Sequence, residues 1–228
     1  MKKIYCIPYA GGSANIYRKM IPYIEKEIEI VPIELAGHGL RQGESFYNSF
    51  QEAVDDVSAF ICRNYQKTDS VSILGYSLGS LIAYESVLQL EKRIKIEELI
   101  VASNDAPSRS IKIPKVYEYS EEELFTFLSE LGNMEEQIFN NKRFWKIYSK
   151  IIREDFRLLY EYRLKPHLKK VNTDIYVFVG NQDKSYDNIK EWKNNTEGEL
   201  RIITKSGGHF SILNDIEEFS ENINRIVL

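Results

Sequence analysis

Cysteine, histidine and long apolar runs are scarce in this sequence. Two of its 228 residues are cysteine and three are histidine. Cys6 and Cys62 have neither metal-knuckle nor Cys-x-x-Cys spacing, and no disulfide is expected between them. No stretch approaches the roughly 18 consecutive apolar residues of a membrane span. The apolar residues 4–7 form too short a run for a signal peptide, and Pro8 ends it. A cytoplasmic protein is the expectation. Neither charge sign is in excess: 30 Lys plus Arg stand against 34 Asp plus Glu, a net −4 that argues for neither nucleic acid nor an anionic membrane as partner. Low-complexity tracts, internal repeats and Gly/Ser linkers are also missing. A single domain over 1–228 follows, with 43% apolar residues to fill one core.

What is present is an alternation. Short β-branched runs at 3–8, 29–34, 70–74, 98–102, 174–179 and 200–204 predict strands. Between them, helical periodicity predicts helices over 13–27, 49–65, 78–91, 186–195 and 212–226. That order is the signature of an α/β fold, a mostly parallel central sheet with helices on both faces. One interval, 104–171, holds no convincing strand and reads as a helical insertion within the same domain, a lid between the fourth and fifth strands.

The chemistry concentrates at strand ends. Gly75-Tyr76-Ser77-Leu78-Gly79 runs from a strand through a turn into a helix, the context in which Gly-x-Ser-x-Gly marks a nucleophile elbow. Glycines two before and two after let strand and helix approach closely. Ser77 is then the nucleophile, and the Leu78 N–H at the helix start faces an incoming oxyanion. A phosphate-binding turn would instead need a Gly-Lys-Ser/Thr sequence, which is missing. A serine hydroxyl needs a base, and three histidines make that search short. His209, in Gly207-Gly208-His209-Phe210 between the last strand and last helix, has the place of the base; His38 and His167 are expected to be solvated loop residues. Two carboxylates compete to orient His209: Asp183 in Gly180-Asn181-Gln182-Asp183 and Asp105 in Ser103-Asn104-Asp105. Asp183 better fits the chain order Ser, Asp, His, and Asp105 stays the alternative. For the second oxyanion donor the candidate is the Ala10 N–H in Pro8-Tyr9-Ala10-Gly11-Gly12-Ser13, where Ser13 can cap the following helix. The scheme uses no metal and no cofactor.

Over nearly its whole length the sequence resembles the type II thioesterases that accompany nonribosomal peptide and polyketide synthases. The likeness rests on Pro8 through Ser13, Gly37-His38-Gly39 with Arg41, the Ser77 elbow, and Ala106-Pro107. It continues through Glu154-Asp155-Phe156-Arg157-Leu158-Leu159-Tyr160-Glu161-Tyr162, Gly180 to Asp183, and Gly207 to Phe210. The resemblance implies an α/β-hydrolase fold and a stand-alone, cofactor-free serine thioesterase. Such an enzyme clears acyl or aminoacyl groups from the phosphopantetheine arm of acyl- or peptidyl-carrier proteins, and it also favours Asp183 as the acid. Related thioesterases fused to synthases often place the acid near Asp105, and Lys184 departs from a position frequently acidic in the family. A general carboxylesterase and a non-catalytic carrier-binding module are the rival readings, and a monomer is the simplest expectation.

Charge adds one more expectation. Between 141 and 170 there are ten Lys or Arg against three acids, a local +7 in a chain of net −4. Lys142, Lys146, Lys150, Arg153 and Arg157 recur at helical spacing, with Phe144, Tyr148, Ile151, Ile152 and Leu159 assigned to the opposite face. The basic stripe is the candidate docking face for an acidic carrier protein.

Overall fold

In the computed structural model, which describes residues 1–132 and 136–228, the six apolar runs become six strands. They are β1 Lys2–Ile7, β2 Ile28–Pro32, β3 Ser70–Tyr76, β4 Ile96–Ala102, β5 Asp174–Gly180 and β6 Leu200–Lys205. All pair in parallel, in the order β2-β1-β3-β4-β5-β6. Side-chain alternation divides β1 between two cores. Ile4 and Cys6 pack with Tyr17, Met20, Phe219 and Ile223, while Tyr5 and Ile7 pack with Val57, Leu81 and Leu90 on the other face.

Helices α1 (Phe50–Asn64) and α2 (Leu78–Leu90) cover one face, and α6 (Ile216–Val227) with the 3₁₀ segment Ala14–Tyr23 covers the other. Ser49 caps α1 by accepting the Glu52 N–H. α2 is buried along most of its surface, from Leu78 to Leu90, and only Glu85, Leu88 and Gln89 reach toward solvent. None of the described helices is long and apolar enough to cross a membrane.

Two expected α-helices are 3₁₀ segments instead, Ala14–Tyr23 and Tyr186–Asn195. Their buried residues explain why. Ala14, Tyr17 and Met20 recur every third position, as do Ile189, Trp192 and Asn195, which is the repeat of a three-residue turn. Pro22 also removes a donor from the first segment. The last helix starts at Ile216, not at residue 212, because Asp215 is its cap and accepts the Glu218 N–H.

Among the described residues between β4 and β5 lie a short 3₁₀ turn at Val116–Glu118 and three helices, α3 Glu121–Glu130, α4 Glu136–Asn140 and α5 Lys142–Arg163. α3 opens with a reciprocal capping box of Ser120 and Glu123. This insertion has a small core of its own, built on Val116, Leu124, Leu128, Trp145 and Ile152. The far end of α5 joins the main core through Leu158 and Tyr162, so the insertion is anchored at its exit.

Strand order reverses direction between β1 and β3, since the chain leaves β1 toward β2 and returns to β3 on the opposite side. At such a switch point the loops beyond the carboxyl ends of the strands diverge and leave a crevice. Residues 8–13 and Ser77 stand at that position.

Candidate active site

The site begins with a strained backbone. Ser77 has φ 51° and ψ −116°, in the region that side chains rarely adopt. Crowding behind it demands glycine. A Cβ on Gly75 would lie 2.1 Å from the Gly79 carbonyl oxygen, and one on Gly79 would lie 2.3 Å from the Ile7 carbonyl oxygen. The bend is held by the Ser77 N–H donating to the Ala102 carbonyl at 2.8 Å and by the Ser80 hydroxyl donating to the Gly75 carbonyl at 2.8 Å. The strain lifts the Ser77 hydroxyl off the end of β3, toward the loops that follow β5 and β6.

Those loops bring an imidazole and a carboxylate to it. His209 Nε2 lies 3.2 Å from Ser77 Oγ, and His209 Nδ1 lies 2.8 Å from Asp183 Oδ2. Asp183 Oδ1 accepts from both the Ser185 N–H and the Ser185 hydroxyl at 2.8 Å. Burial pushes the Asp183 carboxyl up, but the bonds and charge from His209 and the Ser185 donors outweigh it and bring it to about 2. The structure therefore brings together Ser77, His209 and Asp183. Asp105, the alternative acid, does not bond His209: it lies 3.6 Å from Arg109, and burial raises its carboxyl despite Arg109 and Arg163 nearby.

The bracing around these three side chains has no sequence motif of its own. The His209 carbonyl accepts from the Tyr76 hydroxyl at 2.6 Å and from the Ser103 hydroxyl at 2.9 Å. The Asn104 side-chain amide donates to the Ser77 carbonyl at 2.7 Å. Among the described residues Ser103 is the other non-glycine with positive φ, at 53°. The one available signal was position, because Ser103-Asn104 follows a strand on the same sheet edge.

Ala10 and Ser77 line one cavity of about 350 Å³. His209 and Phe210 stand at the same cavity, and Phe127, Leu128, Leu131 and Leu159 of the insertion line it with predominantly apolar surface. Leu78 is the first residue of α2, so its N–H has no acceptor inside the helix.

Three expectations need correction. His38 is not solvated: it is 2% exposed, with Nε2 2.8 Å from Asp155 Oδ2 and Nδ1 3.0 Å from the Ala36 carbonyl. His167 is only partly exposed; it stacks on Tyr162 at 3.9 Å and pairs with Glu85 at 3.0 Å. The basic stripe is shorter than its spacing suggested. Lys142, Lys146 and Lys150 are exposed, but Arg153 turns inward to the Tyr117 and Tyr119 carbonyls and Glu121. Arg157 likewise binds Glu154 and the carbonyls of Tyr47 and Asn48. Phe144, assigned to the buried side, is 46% exposed, because the underside of α5 runs instead through Trp145, Ser149, Ile152 and Leu158.

A family model described as a thioesterase domain matches residues 2–227. The human medium-chain S-acyl fatty acid synthase thioesterase is 30% identical over 95% of this chain and 83% of its own. The gramicidin S biosynthesis protein GrsT of Aneurinibacillus migulanus is 25% identical over 96% of this chain and 86% of its own. Among solved structures, ClbQ of the colibactin NRPS/PKS pathway superposes with a TM-score of 0.90 at 25% identity, covering 99% of this chain and 96% of its own. The type II thioesterase BorB of the borrelidin cluster gives 0.88 at 25% identity, over 100% and 93% of the two chains. With its parallel sheet, its elbow serine and a family match over almost every residue, this chain belongs to the thioesterase family of the α/β-hydrolase fold.

Proposed function

We propose that this chain is a stand-alone serine thioesterase that hydrolyses acyl or aminoacyl thioesters on the phosphopantetheine arm of acyl- or peptidyl-carrier domains, clearing stalled groups from a nonribosomal peptide or polyketide synthase. The observation that carries the proposal is the hydrogen-bonded series Ser77, His209, Asp183 at the mouth of an apolar cavity. Its similarity to BorB and ClbQ supports the biosynthetic setting.

In the proposed reaction His209 Nε2 takes the Ser77 proton as Oγ attacks the thioester carbonyl. Asp183 holds the imidazole with Nε2 toward the serine and stabilises its charged form. The N–H groups of Ala10 and Leu78 receive the negative charge that develops on the carbonyl oxygen. The carbon–sulfur bond then breaks, and His209 returns the proton to the leaving thiolate. Water, deprotonated by the same imidazole, attacks the acyl-serine; the Ser77 oxygen regains its proton and the acid departs. Lys142, Lys146 and Lys150 would steer an acidic carrier domain toward this cavity. A monomeric, cytoplasmic protein and a closing role for the insertion fit the proposal.

The test is hydrolysis of acyl groups loaded on holo-carrier protein, run beside the matching p-nitrophenyl ester and a Ser77→Ala control. A thioesterase releases the carrier-bound acyl group in preference, and only with Ser77 present. Preference for the oxygen ester would make the chain a carboxylesterase. Failure of a fluorophosphonate to label Ser77, with no loss on substitution, would make it a binding module.

A further inference from the structure

Resting on the oxyanion role proposed for Ala10, we infer that Asp155 and His38 form a buried tether that positions the glycine loop, so that helix α5 of the insertion sets the geometry of the oxyanion site. Five contacts carry the inference. The Asp155 carboxylate accepts the Gly11 N–H at 2.7 Å, one residue beyond Ala10. The same oxygen, Oδ2, lies 2.8 Å from His38 Nε2, with both side chains almost fully buried. A Cβ on Gly11, whose φ is +76°, would lie 2.7 Å from Ile152, three residues before Asp155, so α5 rests directly on the loop. At the other end of the loop, Glu34 accepts the Ala14 N–H at 2.9 Å and the Ser13 hydroxyl at 3.0 Å.

The bonding pattern fixes where a proton must be. The Ala36 carbonyl can only accept, so Nδ1 of His38 carries a hydrogen. A neutral ring with its hydrogen on Nδ1 would present a bare lone pair to the carboxylate. The 2.8 Å contact on Nε2 therefore requires one shared proton between His38 and Asp155. Burial pulls His38 down, while the charge and bond of Asp155, the Ala36 carbonyl and Glu34 push it up further, so its net direction is upward. Other groups face the pair from the elements around it. Tyr148 lies beside Asp155 on α5, and Phe46, with Lys150 over its ring, stands edge-on to His38. Loss of the shared proton leaves a lone pair against a carboxylate and frees the loop. Asparagine at 155 keeps an oxygen that can accept from Gly11 but has no negative charge to hold the second proton on His38, so the bare Nε2 lone pair then faces that same oxygen and pushes it off the loop.

These are positioning residues, and they touch no substrate. The experiment compares wild type, Asp155→Asn, His38→Gln and His38→Leu for kcat and KM on a small soluble thioester across pH, for Tm, and for amide exchange over 9–12. Asp155→Asn and His38→Leu are expected to lower kcat about 10- to 100-fold with KM within about twofold, less than outright removal of an oxyanion donor. Exchange at Gly11 rises in both. Wild-type kcat falls on the alkaline side as the shared proton leaves. His38→Gln, whose amide donates without titrating, restores most of kcat and removes that fall. Losses that merely follow Tm, or an unchanged kcat in Asp155→Asn, overturn the tether. If Ser77→Ala stays active while Gly11 exchange still rises in Asp155→Asn, the catalytic reading fails and the structural tether stands.

Discussion

At the residue scale, each member of the relay has a different consequence when removed. Ser77→Ala would remove the attacking oxygen of the proposed reaction, and kcat is then expected to fall at least about a thousandfold, with binding and the proposed oxyanion donors supplying what remains. Asp183→Asn keeps the shape but lets the imidazole adopt the wrong tautomer, for an expected loss of about 10³- to 10⁴-fold. The same aspartate also has a stability signature. Its folded-state value of about 2 lies below the ordinary one, so its contribution is fully present above the unfolded value, about 3.9, and is lost as pH falls through about 2. Acid titration of the unfolding free energy should show a loss of about 2 kcal/mol across that window, and Asp183→Asn should flatten it. Asp105→Asn should leave that loss in place, because the Asp105 carboxyl is shifted upward and does not contribute to it.

At the element scale, α5 separates two kinds of basic residue that one-dimensional spacing cannot. Lys146→Glu with Lys150→Glu should raise KM on carrier-bound substrate several-fold, leave a small thioester unaffected and leave Tm within a degree or two, because both side chains are exposed. Arg153→Glu and Arg157→Glu should instead lower Tm by several degrees, since each ties α5 to backbone carbonyls elsewhere. Differential unfolding beside carrier kinetics distinguishes the two classes. The strands were legible in the sequence because β-branched runs in a buried parallel sheet have few other options, and the elbow was legible because its glycines answer a steric demand at one place. The 3₁₀ segments were misread because apolar residues at three-residue intervals also satisfy a helical pattern. His38 was misread for another reason: its partner Asp155 lies 117 positions away, and no local pattern reports a pairing across that separation.

At the scale of the whole molecule, the cavity belongs to neither layer alone. The sheet edge contributes Ala10, Ser77 and His209, and the insertion contributes Phe127, Leu128, Leu131 and Leu159, so in the proposed reaction acyl selectivity would depend on how the insertion sits on the sheet. Apolar lining favours alkyl chains, and each methylene buried there adds about 0.8 kcal/mol, roughly a fourfold gain in kcat/KM per carbon. That gain has to stop when the space of about 350 Å³ is filled. A series of straight-chain acyl thioesters on one carrier should therefore show kcat/KM rising with length to a maximum and then levelling or falling. Leu159 is only partly buried and points its volume into this space, so Leu159→Trp should move the maximum to shorter chains without changing the rate for an acetyl group. An unmoved maximum would place the acyl chain outside this cavity, and the insertion would then serve the carrier domain rather than its cargo.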